Sequence, residues 1–303
     1  MAQLASTRSP RPAATYTEAV QRIQTLQALD GPEIRENSYT QFLTHGDKTA
    51  KTIVFYHGYT NAPAQYVLLG KEFYDRGYNV LIPRISYHGY KDVLTKDQAK
   101  LTATDLIELT EETVDIAQGL GDQVTICGLS MGGVMAAWAA QYRNDVDRAV
   151  GMAPSAGLPI VPIWVSTLFR KTVPHLPNLF IWWDPRVKDK VDGPPHGYPR
   201  FSTHGLAQIF IMGRRVFDDS KRVPPTAKQI VSITSAFDTA VSLKLIYKMV
   251  DGWKAHGANV TTYEFPKEQK VWHDMIDPTQ STQQIDLVYP VVIPLIAGDS
   301  PKA

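Results

Sequence analysis

The fold is decided by residues 124–140, which read V-T-I-C-G-L-S-M-G-G-V-M-A-A-W-A-A. An apolar run typical of a buried strand leads into G-x-S-x-G, and an alanine-rich run typical of a helix follows it. In a sharp strand-to-helix turn, the residues two before and two after the apex crowd together and must be small, as Gly128 and Gly132 are. The pattern predicts a nucleophile elbow that exposes the Ser130 hydroxyl above the sheet. A glycine-rich turn with an incidental serine is the alternative, and the flanking strand and helix disfavour it.

The composition is that of an ordinary globular chain. It has 303 residues, 44% hydrophobic and 20% charged, with 31 basic and 30 acidic side chains and a formal net charge of +1. This balance gives no reason to expect a nucleic-acid partner. No apolar run is long enough to span a bilayer, so we expect no transmembrane segment. The oligomeric state is left open.

Cysteine usage and motif content bear on compartment and cofactors. Cys127 is the only cysteine, so it has no intramolecular disulfide partner. A buried thiol in a reducing, cytoplasmic location is the interpretation that fits. The sequence contains no HExxH motif, paired cysteines or glycine-rich phosphate loop, and we therefore expect neither a metal nor a cofactor.

Strands and helices alternate on both sides of the elbow. Continuous apolar strands are predicted at residues 52–56, 79–83, 122–127, 147–152, 230–235 and 260–265, with an edge strand or hairpin within 33–45. Such alternation predicts an α/β fold whose mostly parallel sheet is covered by helices on both faces. A closing helix is expected at 281–296, interrupted by Pro290 and Pro294. Active sites in such sheets lie at the carboxyl ends of the strands, where Ser130 falls.

The alternating rhythm is lost between residues 154 and 225, a segment dense in proline and aromatic side chains. We interpret 154–225 as a helical cap, with one clear helix at 205–217, inserted between two core strands. Residues 31–153 and 226–303 then form the core, and 1–30 form a tail with a short helix. A linker to a second domain is the alternative. The apolar content of the segment and the resumed strand pattern argue against it.

A serine nucleophile needs a base, and the base needs a carboxylate that orients it. In hydrolases with an elbow, the chain order is serine, acid, histidine. Of eight histidines, His273 alone follows the last predicted strand, and Asp238 follows the resumed strand by three residues. Asp238 could instead cap the next helix. Asp274, which also follows the last strand, is a rival for the acid.

The loop after the first core strand reads H-G-Y-T, residues 57–60. Gly58 allows the backbone to turn, so that the N–H of Tyr59 points at the site. With the N–H of Met131, the residue after the nucleophile, it would form an oxyanion hole. His57 is interpreted as a structural residue of this loop.

Taken together, these motifs resemble the α/β-hydrolase fold serine esterases, in particular bacterial carboxylesterases and monoacylglycerol lipases. The similarity lies in the H-G-Y-T loop with Pro63 after it, the G-L-S-M-G-G elbow, Asp238 and His273, and it covers roughly residues 50–295. The resemblance implies hydrolysis of carboxylic esters, either short- to medium-chain acyl esters or monoacylglycerols, through an acyl-Ser130 intermediate. His273 would be the general base and Asp238 its orienting acid.

Aromatic side chains of the cap are candidates for an acyl pocket. Those selected are Trp164, Trp182, Trp183 and Phe210. Packing of the cap against the core is the alternative for each of them, because buried aromatics dominate cores as well as sites. Two other functions stay open: an acyltransferase or thioesterase that uses the same triad, and a catalytically idle ligand-binding module.

Overall fold

The computed structural model describes residues 9–186 and 194–299. Parts of the predicted tail (1–8), cap (187–193) and C-terminus (300–303) lie outside the described residues. The elements, in chain order, are α1 (Tyr16–Gln27), β1 (Gln41–Leu43), β2 (Thr49–Tyr56), α2 (Val67–Tyr74), β3 (Tyr78–Ile82), α3 (Ala103–Leu120), β4 (Gly121–Leu129), α4 (Met131–Tyr142), β5 (Arg148–Met152), α5 (Ile163–Thr172), β6 (Phe180–Trp182), β7 (Arg200–Ser202), α6 (Thr203–Asp219), β8 (Gln229–Ser235), α7 (Leu243–Ala255), β9 (Val260–Phe265) and α8 (Ile285–Ala297).

The central sheet positions the elbow in its middle. Within the described residues it has seven strands in the order β1-β3-β2-β4-β5-β8-β9. Strand β1 runs antiparallel to β3, and every other neighbouring pair is parallel. The predicted α/β fold with a mostly parallel sheet is therefore confirmed. Because β4 lies between β2 and β5, its carboxyl end opens at the centre of the sheet edge, where ligands bind in such folds.

Both faces of the sheet are buried, as the continuous apolar strands predict. Along β2, Val54 and Tyr56 belong to the cluster that packs under α1, α3, α4 and α6. The intervening residues Ile53 and Phe55 belong to the opposite cluster, with α2 and α8. This alternation is the two-residue period of a strand with helices on either side. Cys127 is a buried free thiol in the second cluster, and burial raises its pKa well above the usual value.

Two elements at the ends of the chain differ from the prediction. The edge strand expected within 33–45 shrinks to the three residues of β1, after a 3₁₀ turn at Glu36–Ser38. Helix α8 begins at Ile285, later than expected, and runs through Pro290 and Pro294 without interruption. A proline inside a helix costs about 3 kcal/mol. We attribute the continuity of α8 to its buried side chains, including Val292 and Ile296, which pack on the sheet and offset that cost.

The cap segment follows β5 and precedes β8, and these two strands pair side by side in the sheet. Helix α6 extends the predicted helix 205–217 by two residues at each end and buries Ile209, Phe210 and Val216. The segment also contains α5 and an antiparallel pair, β6 and β7, which the sequence did not predict. The cap is therefore not purely helical. Strands of three residues carry too little periodicity to be read from the sequence.

Candidate active site

The elbow at Ser130 has the backbone that a strand-to-helix apex requires. Ser130 has φ 59° and ψ −110°, a conformation that side-chain-bearing residues rarely adopt. Its N–H donates to the carbonyl of Met152 at 2.9 Å, and its own carbonyl accepts from the N–H groups of Val134 and Ser155. Three backbone hydrogen bonds thus hold the strained residue between β4 and α4, as is typical of strain stored at functional sites.

The glycines around Ser130 are required by crowding. A Cβ added to Gly128 would collide with the backbone of Gly132. One added to Gly132 would collide with the carbonyl of Tyr56 on the neighbouring strand. The G-x-S-x-G spacing therefore records a steric requirement of the turn, which is why the sequence alone located the apex.

His273 and Asp238 form a hydrogen-bonded pair in the loops after β9 and β8. His273 Nδ1 lies 2.7 Å from Asp238 Oδ2, and the carboxylate side chain is fully buried. Burial alone would lower the pKa of His273, but the charge and hydrogen bond of Asp238, with a further contribution from Asp274, raise it above the usual value. A hydrogen bond through Nδ1 leaves Nε2 as the nitrogen that accepts a proton.

Asp238 does not cap the next helix, which was the alternative for it, because the N-cap of α7 is Ser242. Its Oδ1 accepts from the backbone N–H of Ala240 at 2.7 Å, just before α7 begins at Leu243. One carboxylate oxygen thus fixes the loop, and the other faces the imidazole. Because the two oxygens bind different partners, Asp238 can hold its own loop and contact His273 at the same time.

Asp274, the rival acid, faces a different set of partners. It accepts hydrogen bonds from three side-chain amides: Asn61 Nδ2 at 3.0 Å, Gln65 Nε2 at 2.8 Å and Gln280 Nε2 at 2.6 Å. Within the described residues it makes no hydrogen bond to the His273 ring. Burial first, and then the charge of Asp277, raise the pKa of Asp274. The geometry thus favours Asp238 as the partner of the imidazole.

Two backbone N–H groups are available to an oxyanion. Among the residues that the structure describes, neither the Tyr59 nor the Met131 N–H donates to a protein acceptor. Met131 opens α4, where the first N–H groups of a helix are unsatisfied. The Tyr59 loop lies beside the nucleophile, since a Cβ on Gly58 would stand 3.7 Å from Ser130 Cβ. These are the two donors that the sequence predicted.

Side chains behind the oxyanion loop hold it in place. The Gly58 N–H donates to Gln65 Oε1 at 2.8 Å. His57 is buried, with Nδ1 3.0 Å from the Gly58 carbonyl, and its Nε2 accepts from the N–H of Ile85 at 3.1 Å. Burial, and secondarily His88, lower the pKa of His57 well below the usual value, so the ring is neutral. This agrees with a structural role for His57. Gln65 carries no motif that sequence reasoning could have used.

A cavity of about 610 Å³ opens over Ser130 between the core loops and the cap. His273, Tyr59 and Asp274 line it from the core, and so do Asn61 and Gln280. From the cap, the apolar lining consists of Leu158, Pro159, Trp183, Pro194, Tyr198, Pro199, Phe201, Leu206 and Phe210. Ser130 and His273 share this cavity, but no hydrogen bond joins their side chains within the described residues. Such contacts often tighten only when substrate binds.

The four aromatic side chains predicted to line an acyl pocket divide into two pairs. Trp183 and Phe210 line the cavity. Trp164 and Trp182 do not, and for them the prediction is wrong. Trp164 projects from α5 with 67% of its surface exposed. Trp182, on β6, has the guanidinium of Arg200 5.9 Å from its ring centroid. Hydrophobicity alone did not distinguish the wall of a cavity from the outer face of the cap.

The cap is joined to the core beside the oxyanion loop. Thr60 receives two hydrogen bonds from it: Trp183 Nε1 donates to Thr60 Oγ1 at 3.0 Å, and the Tyr198 N–H donates to the Thr60 carbonyl at 2.8 Å. Nearby, His196 Nε2 of the cap lies 2.9 Å from Asp277 Oδ2 of the core, and both side chains are buried. None of these contacts has a sequence signal, because each joins positions far apart in the chain.

The part of the chain that the structure describes has neither a candidate metal site nor a candidate membrane span. It contains no group of three or more histidine, cysteine or acidic side chains arranged to hold a metal ion. In the same residues, no helix combines the length and the apolar character needed to cross a membrane.

Comparison with known proteins gives one family match and distant relatives. A family model described as serine aminopeptidase, S33 (Hydrolase_4) matches residues 47–266. A thermostable monoacylglycerol lipase from Bacillus sp. (strain H-257) is 25% identical over 109 residues, which are 36% of this chain and 42% of the relative. The match thus spans less than half of the relative's length.

Solved structures resemble the chain over most of its length. One, reported for the metagenome-derived lipolytic enzymes LipS and LipT, aligns with a TM-score of 0.65 at 18% identity and covers 88% of this chain and 99% of that chain. The monoacylglycerol lipase of Paleococcus ferrophilus aligns with a TM-score of 0.63 at 13% identity and covers 86% and 99%. At such identities the likeness establishes the α/β-hydrolase fold.

Proposed function

Because the chain belongs to the Hydrolase_4 family of serine aminopeptidase S33 type, we propose that it is a serine hydrolase that cleaves carboxylic esters through an acyl-Ser130 intermediate. The observation that carries the proposal is the meeting, in one cavity, of a strained elbow serine and an imidazole bound at 2.7 Å to a buried carboxylate. A strained nucleophile, a base and its orienting acid are the parts that acyl transfer requires.

The reaction follows from where these groups lie. Ser130 Oγ attacks the ester carbonyl carbon while His273 Nε2 takes its proton, and Asp238 stabilises the imidazolium that forms. The carbonyl oxygen gains a negative charge, which the N–H groups of Tyr59 and Met131 stabilise. The tetrahedral intermediate collapses, the C–O bond to the alcohol breaks, and His273 returns the proton to the leaving oxygen. Water then repeats the sequence on the acyl-enzyme and releases the acid.

The cavity supports a short- to medium-chain acyl ester or a monoacylglycerol as substrate. Its volume of about 610 Å³ is that of a small-molecule site. Leu206, Phe210 and Phe201 give it apolar walls on the cap side. Each methylene buried there contributes about 0.8 kcal/mol, so kcat/KM should rise with acyl length until the pocket is full.

The test compares wild type with Ser130→Ala on p-nitrophenyl esters of increasing acyl length. The variant keeps the fold and should lose on the order of 10⁶-fold in kcat, the scale of a triad knockout. A fluorophosphonate probe should label wild type at Ser130 and leave the variant unlabelled. Ester turnover that survives in Ser130→Ala would refute the mechanism. Turnover of aminoacyl p-nitroanilides with no turnover of esters would replace the esterase with a peptidase.

A further inference from the structure

One end of the cavity has more hydrogen-bond acceptors than donors. An ionised carboxylate offers about four acceptor positions. Asp274 uses three of them: Oδ1 accepts from Gln65, and Oδ2 accepts from Asn61 and Gln280. One position on Oδ1 is left, and Asp274 lines the cavity. All three partners are neutral amides, and among the described residues no lysine or arginine pairs with this carboxylate.

The cavity wall around Asp274 offers no lysine or arginine side chain among the described residues. Asp184, the other carboxylate on the cavity wall besides Asp274, is bound by the guanidinium of Arg186. Next to Asp274, the Asn61 amide turns its Nδ2 to the carboxylate, and its buried Oδ1 accepts no hydrogen bond from any residue that the structure describes. This end of the cavity therefore favours groups that donate hydrogen bonds and disfavours anions.

The position of Asp274 in the chain links it to the alcohol part of the substrate. It directly follows His273, whose Nε2 must return a proton to the leaving oxygen of the ester. The alcohol part of a bound ester therefore lies on the His273 side of Ser130. Asp274 is the next residue after His273 and lines the same cavity, where its carboxylate is held by Asn61, Gln65 and Gln280.

We propose that Asp274 is a specificity-determining residue of an alcohol subsite, where it accepts a hydrogen bond from a donor on the alcohol part of the ester. The donor is a hydroxyl of a polyol or a protonated amine, and an anionic alcohol is rejected. The inference rests on the proposed ester hydrolysis and adds the chemistry of the leaving group to it.

Four butyrate esters with alcohol parts of similar size test the subsite. The 2,3-dihydroxypropyl ester has neutral donors, and the 2,3-dimethoxypropyl ester has none. The 2-(dimethylammonio)ethyl ester has a cationic donor, and the 2-sulfoethyl ester has an anion. In wild type, kcat/KM for at least one donor-bearing ester should exceed that of the dimethoxypropyl ester by about tenfold, the worth of one hydrogen bond to a charged group. The anionic ester should be the poorest substrate. Whichever donor-bearing ester has the higher kcat/KM shows whether the donor is a hydroxyl or a protonated amine.

Asp274→Asn is the decisive variant, and ratios within one enzyme are the readout. The carboxylate also holds Gln65 and raises the pKa of His273, so the variant should lose activity on every ester. That common loss cancels in the ratio of donor-bearing to donor-free ester, which should fall severalfold towards one. The relative rate on the anionic ester should rise. Asp251→Asn, an exposed carboxylate of α7 that does not line the cavity, is the matched control and should keep the wild-type ratios.

A second variant keeps the proposal testable if Asp274→Asn does not fold. Gln280→Met removes one donor from Asp274 Oδ2 with little change in side-chain shape. The carboxylate then has a further open acceptor position, so the preference for donor-bearing esters should stay or rise. A wild type that hydrolyses all four esters equally overturns the subsite but leaves the esterase intact. A loss of donor preference in Gln280→Met overturns it as well. Absence of all ester turnover in wild type would instead refute the proposed function.

Discussion

The core loops and the cap contribute the two sides of one cavity, and they are built differently. On the core side, Ser130 is held by three backbone hydrogen bonds and the Asp238 side chain is fully buried. On the cap side, large apolar side chains remain exposed: Ile160 at 90%, Trp164 at 67% and Leu179 at 62%. The comparison teaches that the groups which form and break bonds have rigid backbone support, and that these three exposed apolar side chains of the cap are not among those that line the cavity.

The contacts between the core and the cap, which we call the join, are made by side chains and a few backbone groups. Thr60 takes two hydrogen bonds from the cap, and His196 reaches Asp277. Changes on the core side should therefore lower the rate for every ester, and changes on the cap side should alter which ester is preferred. Changes at the join should alter the free energy of unfolding.

The largest effect should come from the core, at the two carboxylates that flank His273. Asp238→Asn removes the charge that orients and stabilises the imidazole and should lower kcat by about 10⁴-fold. Asp274→Asn should cost about tenfold on the same p-nitrophenyl ester, since Asp274 acts on the base only through its charge and makes no hydrogen bond to the ring within the described residues. Kinetics on a p-nitrophenyl ester, with circular dichroism to check folding, give the ranking. The reverse ranking would assign the acid to Asp274.

The pH profile of Asp238→Asn gives a second readout of the same pair. His273 must be neutral to act as the base, and Asp238 raises its pKa above the usual value of about 6.5. In wild type, the acidic limb of kcat/KM should therefore lie above pH 6.5. In Asp238→Asn the limb should move to lower pH, because burial lowers the pKa of His273 and the charge of Asp238 no longer opposes it. A limb that does not move would show that Asp238 does not face the imidazole in solution.

An intermediate effect is expected at the join, from His88. Its buried ring stands 5.2 Å from that of His57 and 6.2 Å from that of Tyr198 in the cap. Burial lowers the pKa of His88 to about 4. The unfolded chain then binds the proton more tightly than the folded one. Stability should be unaffected above about pH 6.5 and should fall by up to about 3 kcal/mol between there and pH 4.

Urea unfolding of wild type and His88→Phe across this pH range checks the prediction. The variant should show a shallower loss of unfolding free energy below pH 6.5, because one buried site no longer takes up a proton on unfolding. His256→Gln, at the C-terminal end of α7 on the surface, should follow wild type. Parallel curves for all three proteins would show that His88 is not protonated on unfolding in this range.

The sequence predicts the catalytic side chains of the core better than the contacts and walls of the cap. The elbow could be located because steric crowding restricts Gly128 and Gly132 to glycine, which leaves a local pattern in the chain. His273 and Asp238 could be selected because chain order and strand ends restrict their positions. Gln65 and the His196–Asp277 pair could not, since their partners are fixed only by the tertiary fold. Similarly, Trp164 and Trp183 both read as aromatic cap residues, but only the packed structure shows that one lines the cavity.

The smallest effect should come from the cap, where those two tryptophans form a matched pair. Trp183 lines the cavity and is about half exposed, whereas Trp164 is exposed and lies outside the lining. Trp183→Ala removes apolar wall from the cavity, so longer acyl chains should lose contact. Each methylene that returns to water costs about 0.8 kcal/mol, or roughly fourfold in kcat/KM. Across p-nitrophenyl esters of rising chain length, Trp183→Ala should lose severalfold on the longer esters relative to the shortest, and Trp164→Ala should keep the wild-type profile. Trp183→Phe removes the hydrogen bond to Thr60 but keeps an aromatic wall, and should lie close to wild type. If Trp183→Phe instead loses activity equally on all esters, the hydrogen bond to Thr60 supports the oxyanion loop, and the division between a catalytic core and a selective cap fails at this residue.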